Sequence, residues 1–287
     1  MTEGYLLISS GENKYFEMTV CLIKSLRYHK DNRPVSLLTA NPDNEILKEH
    51  RDLFDKIIDY SDEVEPLKEK FNFITRHEIN GILPRLLMRR SPYDRSIFID
   101  SDCMILKETL DLWDVWERYD DPKFITMGMD KLLPGWSKMH QEEIDKAEKT
   151  LKMDLREVHA GITWFDKSAY TDVVFDLIEK YLLSDVYEKV FPRILKTWGG
   201  RNNETALMCA LSALDAMVVP YNENFISPNP YFFSVKNSIG DMGLFHRGKT
   251  HINKGMAFSY DLPIVAHYFD KTDSENYQRN KEFLLGD

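Results

Sequence analysis

Along the first hundred residues, short apolar runs alternate with segments of helical periodicity. Tyr5-Leu6-Leu7-Ile8-Ser9 is an apolar run closed by small polar residues, which predicts a buried strand. From Tyr15 to His29, Phe16, Val20, Ile23 and Leu26 recur at helical spacing with Met18 and Leu22 beside them. Pro34 precedes a second strand, Val35-Ser36-Leu37-Leu38-Thr39; residues 43–54 read as a helix, and Ile57-Ile58-Asp59-Tyr60 as a third strand. A helix is expected around 76–90, kinked or broken at Pro84, followed by the strand Ser96-Ile97-Phe98-Ile99-Asp100. Beyond Asp111 come a helix carrying Trp113 and Trp116, strands at 124–127 and 162–165, and a charged helix at 138–151. Amphipathic helices follow at 168–183 and 203–214, with a last strand at 263–268. The β-α-β-α-β order with nearly continuous apolar strands predicts an α/β, mostly parallel, doubly wound sheet. Such sheets bind ligands at the carboxyl ends of their strands, where Ser9, Ser10 and Gly11 stand.

The 287 residues, 43% hydrophobic and 29% charged, suffice for one large α/β domain or for a domain with an appended subdomain. No repeat, low-complexity tract or flexible linker divides the chain, and the last 70 residues or so are irregular and rich in Asn, Gly, Phe and Tyr. That stretch is expected to complete a site rather than fold alone. No apolar run approaches the ~20 residues of a membrane span. The acidic start Met1-Thr2-Glu3-Gly4-Tyr5 runs straight into a strand, unlike a secretory signal, so a cytoplasmic location is expected. Cys21, Cys103 and Cys209 are odd in number and widely spaced, with neither disulfide-framework nor zinc-motif spacing, which suits a reducing compartment. A net charge of −10 makes the chain a poor non-specific binder of nucleic acid or anionic membrane, though a local basic patch stays open.

The chemistry concentrates at Asp100-Ser101-Asp102, the one Asp-x-Asp in the chain. Two acids spaced by one residue at a strand's carboxyl end point the same way and can share a hard divalent cation. Mg²⁺ and Mn²⁺ suit such oxygen donors and keep positions open for a diphosphate leaving group, whose developing charge the metal offsets. The plain alternative is that these acids merely end a strand. Their place between the apolar runs Ile97-Phe98-Ile99 and Met104-Ile105-Leu106 argues against it, because acids there have little reason to be present unless a cation or substrate uses them.

The surrounding residues carry a resemblance. Tyr93-Asp94-Arg95-Ser96-Ile97-Phe98-Ile99-Asp100-Ser101-Asp102 followed by Leu110-Asp111-Leu112-Trp113 resembles the nucleotide-sugar glycosyltransferases of GT-A architecture, above all glycosyltransferase family 8, the group of glycogenin and the bacterial lipopolysaccharide galactosyltransferases. The likeness runs from about Tyr5 to Lys271. It implies a single GT-A domain, with a nucleotide-binding half at about 1–110 and a donor-sugar and acceptor half at about 111–287. It further implies transfer of a hexose from a UDP-sugar to a hydroxyl of a glycan, protein or other acceptor, with Mn²⁺ or Mg²⁺ and with retention of configuration.

By the same likeness Ser9, Ser10, Tyr15 and Ser101 lie at the nucleotide, with Arg85 as the basic residue upstream of the carboxylate strand and Arg76 second to it. His267 of His267-Tyr268-Phe269-Asp270-Lys271 would be the third metal ligand beside Asp100 and Asp102, with Lys271 on the diphosphate. Phe245-His246-Arg247-Gly248-Lys249-Thr250-His251 competes for that diphosphate role. His159-Ala160-Gly161 stands where the family lines its donor sugar, His159 replacing the family's Asn. Asn202-Asn203-Glu204 stands where the family has Asp-Gln: Glu204, with Asn203, would stabilise the oxocarbenium-like centre, and Asn202 or Asn203 is equally a good helix cap. Asp130 is a further candidate for a sugar hydroxyl. Two other readings stay open: a phosphatase of the haloacid dehalogenase type, which expects its acid pair after the first strand, and a non-catalytic sugar-nucleotide-binding protein.

Overall fold

The computed structural model describes residues 1–71, 83–198, 200–223, 225, 234–235, 245–246, 264–267 and 275–286. Seven strands form one sheet: β1 (Glu3–Ile8), β2 (Val35–Thr39), β3 (Lys56–Asp59), β4 (Arg95–Ile99), then, past the short strand β5 (Cys103–Ile105), β6 (Phe124–Met129), β7 (Glu157–Asp166) and β8 (Val219–Pro220). The order across the sheet is β3-β2-β1-β4-β7-β6-β8. Strands β3, β2, β1 and β4 run parallel; β7 is antiparallel to both of its neighbours, and β6 pairs in parallel with β8. The expected mostly parallel sheet is therefore present, and it continues without a break across residue 110. Strand order reverses direction at β1, so a crevice opens at the carboxyl ends of β1 and β4.

Alternation along the strands fills two cores. Leu6 and Phe98 face the side covered by the helices Ala169–Leu183 and Asn203–Ala213, while Tyr5, Leu7, Ile97 and Ile99 face the side covered by Asn13–Tyr28 and the Trp113–Trp116 pair. Both tryptophans are buried and stack at 5.5 Å, serving as core. Several expected helices are shorter than their apolar spacing suggested. The segment 43–54 divides into Glu45–Glu49, started by the Asn44 side chain accepting from the Ile46 and Leu47 amides, and a 3₁₀ turn at Arg51–Leu53, the backbone leaving helical geometry at His50 with φ −110° and ψ 27°. Only Leu83–Leu86 and the 3₁₀ turn Leu87–Arg90 of the expected helix at 76–90 fall within the described residues.

The expected strand at 162–165 is ten residues long, and its missing half matters most for the site. Thr126 pairs with Thr163, yet Met127 pairs with His159, so β7 bulges over 160–162. The Thr126 hydroxyl spans this bulge, sharing its proton between the carbonyls of His159 at 2.6 Å and Ile162 at 2.7 Å. Close approach of β6 and β7 beyond the bulge requires Gly128, where a Cβ would lie 2.0 Å from the Glu157 carbonyl oxygen. Gly128→Ala is accordingly expected to cost roughly 3 kcal/mol in urea unfolding, because backbone rather than a rotatable side chain would have to yield. An unchanged midpoint would mean that the two strands do not approach as described.

Candidate active site

Beyond Ile99 the chain turns through Asp100-Ser101-Asp102 into β5, the Cys103 amide donating to the Asp100 carbonyl at 3.1 Å. Strand β5 pairs antiparallel with β9 (Val265–His267), which places Cys103 directly opposite His267. Paired residues across a ladder show their side chains on the same face. The turn and β9 thus bring residues 165 positions apart in sequence into one cluster, with His267 Nε2 at 3.3 Å from Asp102 Oδ1.

The β7 bulge supplies the other wall. Ala160, freed from pairing with β6, offers its amide to Glu204 Oε1 at 3.2 Å and its carbonyl to Arg85 Nη1 at 3.2 Å. Arg85 Nη2 donates to Asp100 Oδ1 at 2.5 Å, with the guanidinium 5.2 Å from the Phe98 ring centre. The Asp100 amide donates to the Gly161 carbonyl at 2.9 Å. Gly161 is needed there, since a Cβ would meet the His159 ring at 2.7 Å and Asp100 Oδ2 at 3.5 Å. The rings of His159 and His267 meet edge to face at 5.3 Å.

These groups set one another's charge. Burial works to raise Asp102, but His267, a backbone hydrogen bond and Arg85 together outweigh it, and the carboxyl lies below its usual range. Burial raises Asp100 above its usual range even against Arg85, and it raises Glu204 likewise. His267 is lifted above the usual imidazole value: burial opposes this, but Asp102 and Asp100 together outweigh burial. His159 is driven down to about 3 by burial, with His267 and Arg85 adding to it, so it is neutral. Its Nδ1 accepts from the Gly161 amide at 3.2 Å, which leaves the ring proton on Nε2.

The structure therefore gathers Asp100, Asp102, His267, Arg85, Glu204, His159, Ala160 and Gly161. Ser101 is half-buried at the centre of the turn. Asn203 opens the helix Asn203–Ala213, and it lines a small cavity with Arg85, Ala160 and Phe98; the cap is Asn202, whose side chain accepts from the Thr205 amide at 2.8 Å. At the end of β1, Ser9 is buried with no hydrogen-bond partner for its hydroxyl among the described residues, whereas Ser10 shares a 2.5 Å hydrogen bond with the Tyr60 hydroxyl. Tyr15 packs beside Met18, Met104 and Tyr277. Asp130 is not brought to the cluster: its exposed carboxylate pairs with Arg156 at 2.9 Å. Arg76, Lys271 and residues 247–251 lie outside the described residues.

Two groups at the cluster escaped the sequence reading. Cys103 is the residue after the acid pair, and its sulfur lies within 4.8 Å of ligand atoms on both Asp102 and His267. Glu157 is two residues before His159 and so on the same face of β7; that period-two spacing was its only signal. Burial lifts the Glu157 carboxyl from 4.5 to about 7, against a hydrogen bond from Tyr221 and with help from Glu204. The folded protein keeps a proton there that the unfolded chain has lost, so this stabilisation is complete below 4.5 and disappears as the pH rises through 7. Glu157→Gln should remove that dependence. Between about pH 5 and about pH 8 the variant should gain about 2–3 kcal/mol over the wild type in urea unfolding. Parallel pH profiles for the two proteins would show that Glu157 ionises normally.

Carboxylate, imidazole and thiol so close together make a donor set that fits a divalent cation. No family model matches the chain, and no curated protein matches its sequence. Solved structures do match. The galactosyltransferase LgtC, in a complex with donor and acceptor sugar analogs, superposes with a TM-score of 0.54 at 13% identity, covering 99% of this chain and 96% of its own. The fold is that of the GT-A glycosyltransferases. An active-site mutant of LgtC gives a TM-score of 0.52 at 13% identity over 99% of this chain and 95% of its own. Mouse xyloside xylosyltransferase 1 in its apo form gives 0.50 at 10% identity over 79% of this chain and 87% of its own. Among the described residues no helix is long and apolar enough to cross a membrane.

Proposed function

We propose that this chain is a metal-dependent glycosyltransferase that moves a hexose from a UDP-sugar to an acceptor hydroxyl with retention of configuration. One observation carries the reading: the β7 bulge and the β4–β5 turn hold Arg85, Glu204, Asp100, Asp102 and His267 together at the carboxyl end of β4 in a GT-A fold. The overall likeness to LgtC, which holds donor and acceptor sugar analogs, supports the substrate class.

Asp102 and His267, with Asp100 beside them, would hold Mn²⁺ or Mg²⁺. Bound there, such a cation would supply positive charge to offset that of a diphosphate leaving group. Arg85, fixed between Asp100 and the Ala160 carbonyl, adds a fixed positive charge toward the same oxygens. Glu204 hangs from the Ala160 amide on the donor-sugar wall, where a carboxylate stabilises positive charge at the anomeric carbon. Neutral His159 presents a hydrogen-bond donor to the sugar through Nε2. The acceptor would be a glycan, a protein or another hydroxyl compound, and a cytoplasmic location suits the cysteine pattern.

The acid pair follows the fourth strand of the chain rather than the first, which disfavours the phosphatase reading. The test combines ligand-induced thermal stabilisation with a screen of UDP- and GDP-sugars. UDP with Mn²⁺ together should raise the melting temperature more than either alone, because a ligand of the native state stabilises by mass action. One UDP-sugar should then release UDP in the presence of Mn²⁺. Stabilisation without release would make the chain a binding protein, and neither response would sink the reading.

A further inference from the structure

Among the described residues, the metal-ligating side chains that lie close together are Asp102, Cys103 and His267, with their oxygen, sulfur and nitrogen atoms all within 4.8 Å of one another. The first acid of the pair is committed elsewhere, since Asp100 Oδ1 takes the Arg85 guanidinium at 2.5 Å. We propose that Cys103 is a third protein donor in this site, so that it takes thiophilic divalent cations of the zinc class through sulfur, oxygen and nitrogen together. The inference rests on the reading of Asp102 and His267 as metal ligands.

Three features support it. Antiparallel pairing sets Cys103 opposite His267, so thiol and imidazole share a face of the β5–β9 ladder. The thiol is fully buried, beside the half-buried Asp102. Three mixed protein donors with a position left open are the arrangement of catalytic zinc sites. Charge and softness then discriminate between cations. A zinc-class cation binds strongly enough to expel the thiol proton to solvent as the sulfur–metal bond forms, so Asp102 and the thiolate together balance its two charges. A hard cation such as Mn²⁺ or Mg²⁺ gains little from sulfur and would bind through oxygen and nitrogen, leaving Cys103 a thiol. All three cysteines are buried among apolar side chains, but only the sulfur of Cys103 lies beside a carboxylate and an imidazole among the described residues.

Cobalt(II) serves as the probe, being a spectroscopic stand-in for zinc. Titrated into metal-free protein, it should produce a near-ultraviolet sulfur-to-cobalt charge-transfer band along with its visible d–d bands. Cys103→Ser and Cys103→Ala should lose the charge-transfer band and keep bound cobalt. Zinc binding in both variants should weaken on the order of a hundredfold, and manganese binding should change less than about threefold. The wild-type spectrum decides the matter even if both variants fold poorly. Cobalt bound without a charge-transfer band would overturn the thiolate donor and leave the carboxylate–imidazole site standing. A band surviving in both variants would place the sulfur on another cysteine and likewise overturn it. Failure of the wild type to bind cobalt at all would remove both the inference and the reading beneath it.

Discussion

Asp102→Asn should abolish UDP-sugar turnover, by at least about a thousandfold, while the protein stays folded. Asparagine keeps the size of the side chain and one acceptor oxygen but removes the charge that faces His267 at 3.3 Å. Two consequences separate this from general damage. Affinity for a divalent cation should drop with turnover, because a hard cation needs the carboxylate. The His267 imidazole, lifted above its usual value against burial chiefly by Asp102, should titrate at a lower pH in the variant, which imidazole NMR signals would show. The turn itself is held by the Asp100 backbone and by β5, so the melting temperature should change by only a few degrees. Turnover at the wild-type rate in a properly folded variant would refute the metal role.

The largest loss of stability is expected far from that cluster, at Asp31. This carboxylate is 5% exposed and sits where β1, the turn before β2 and the Trp113 helix converge. Asp31 Oδ2 accepts from the Tyr5 hydroxyl at 2.7 Å and from the Thr109 hydroxyl, and Oδ1 accepts from the Arg33 amide at 3.0 Å. Trp113 Nε1 donates in turn to the Tyr5 hydroxyl at 2.8 Å, and the Arg33 guanidinium lies 4.6 Å from the Trp113 ring centre. Burial opposes ionisation of Asp31, but the Thr109 and Tyr5 hydroxyls, with Arg33, outweigh it and hold the carboxyl below its usual range. Asp31→Ala leaves the Tyr5 and Thr109 hydroxyls without their buried acceptor and takes from Arg33 one of its two carboxylate partners. It should cost about 3–5 kcal/mol in urea unfolding at neutral pH. Because the folded value is depressed, the wild-type advantage should be present above the ordinary carboxyl value and fade as the pH falls below it. Asp43→Ala is the control: that carboxylate is 91% exposed beside Lys48, and its loss should cost less than about 0.5 kcal/mol. Equal costs at the two positions would show that the buried network contributes nothing.

Strands β1, β2 and β4 were legible within a residue or two because each is buried on both faces and reads as an unbroken apolar run, while the edge strand β3, with only Ile58 buried, was legible from its Ile57-Ile58 pair. The Asp-x-Asp pair was legible for the same reason, since two acids after such a run stand out. Strand β7 was legible only from Ile162 onward. Glu157, His159 and Gly161 interrupt the apolar pattern, so periodicity alone marked a strand only over 162–165, and the likeness to a family strand reached back to His159. Its strand character comes from pairing with β6, and its polar groups are satisfied by partners distant in sequence: Ala160 alone joins Glu204 and Arg85, which are 44 and 75 positions away.

The amino-acid order by itself determined the alternating α/β plan, the parallel start of the sheet and the acids at the end of its fourth strand, because these depend on local periodicity and on burial of neighbouring residues. Only the folded chain decided that Asp100 is paired with Arg85, that Cys103 faces His267, and that Asp130 lies out on the surface with Arg156. A bulge and a two-strand ladder made those choices. Both depend on register between segments far apart in sequence, and a one-residue shift in either would turn every side chain to the opposite face.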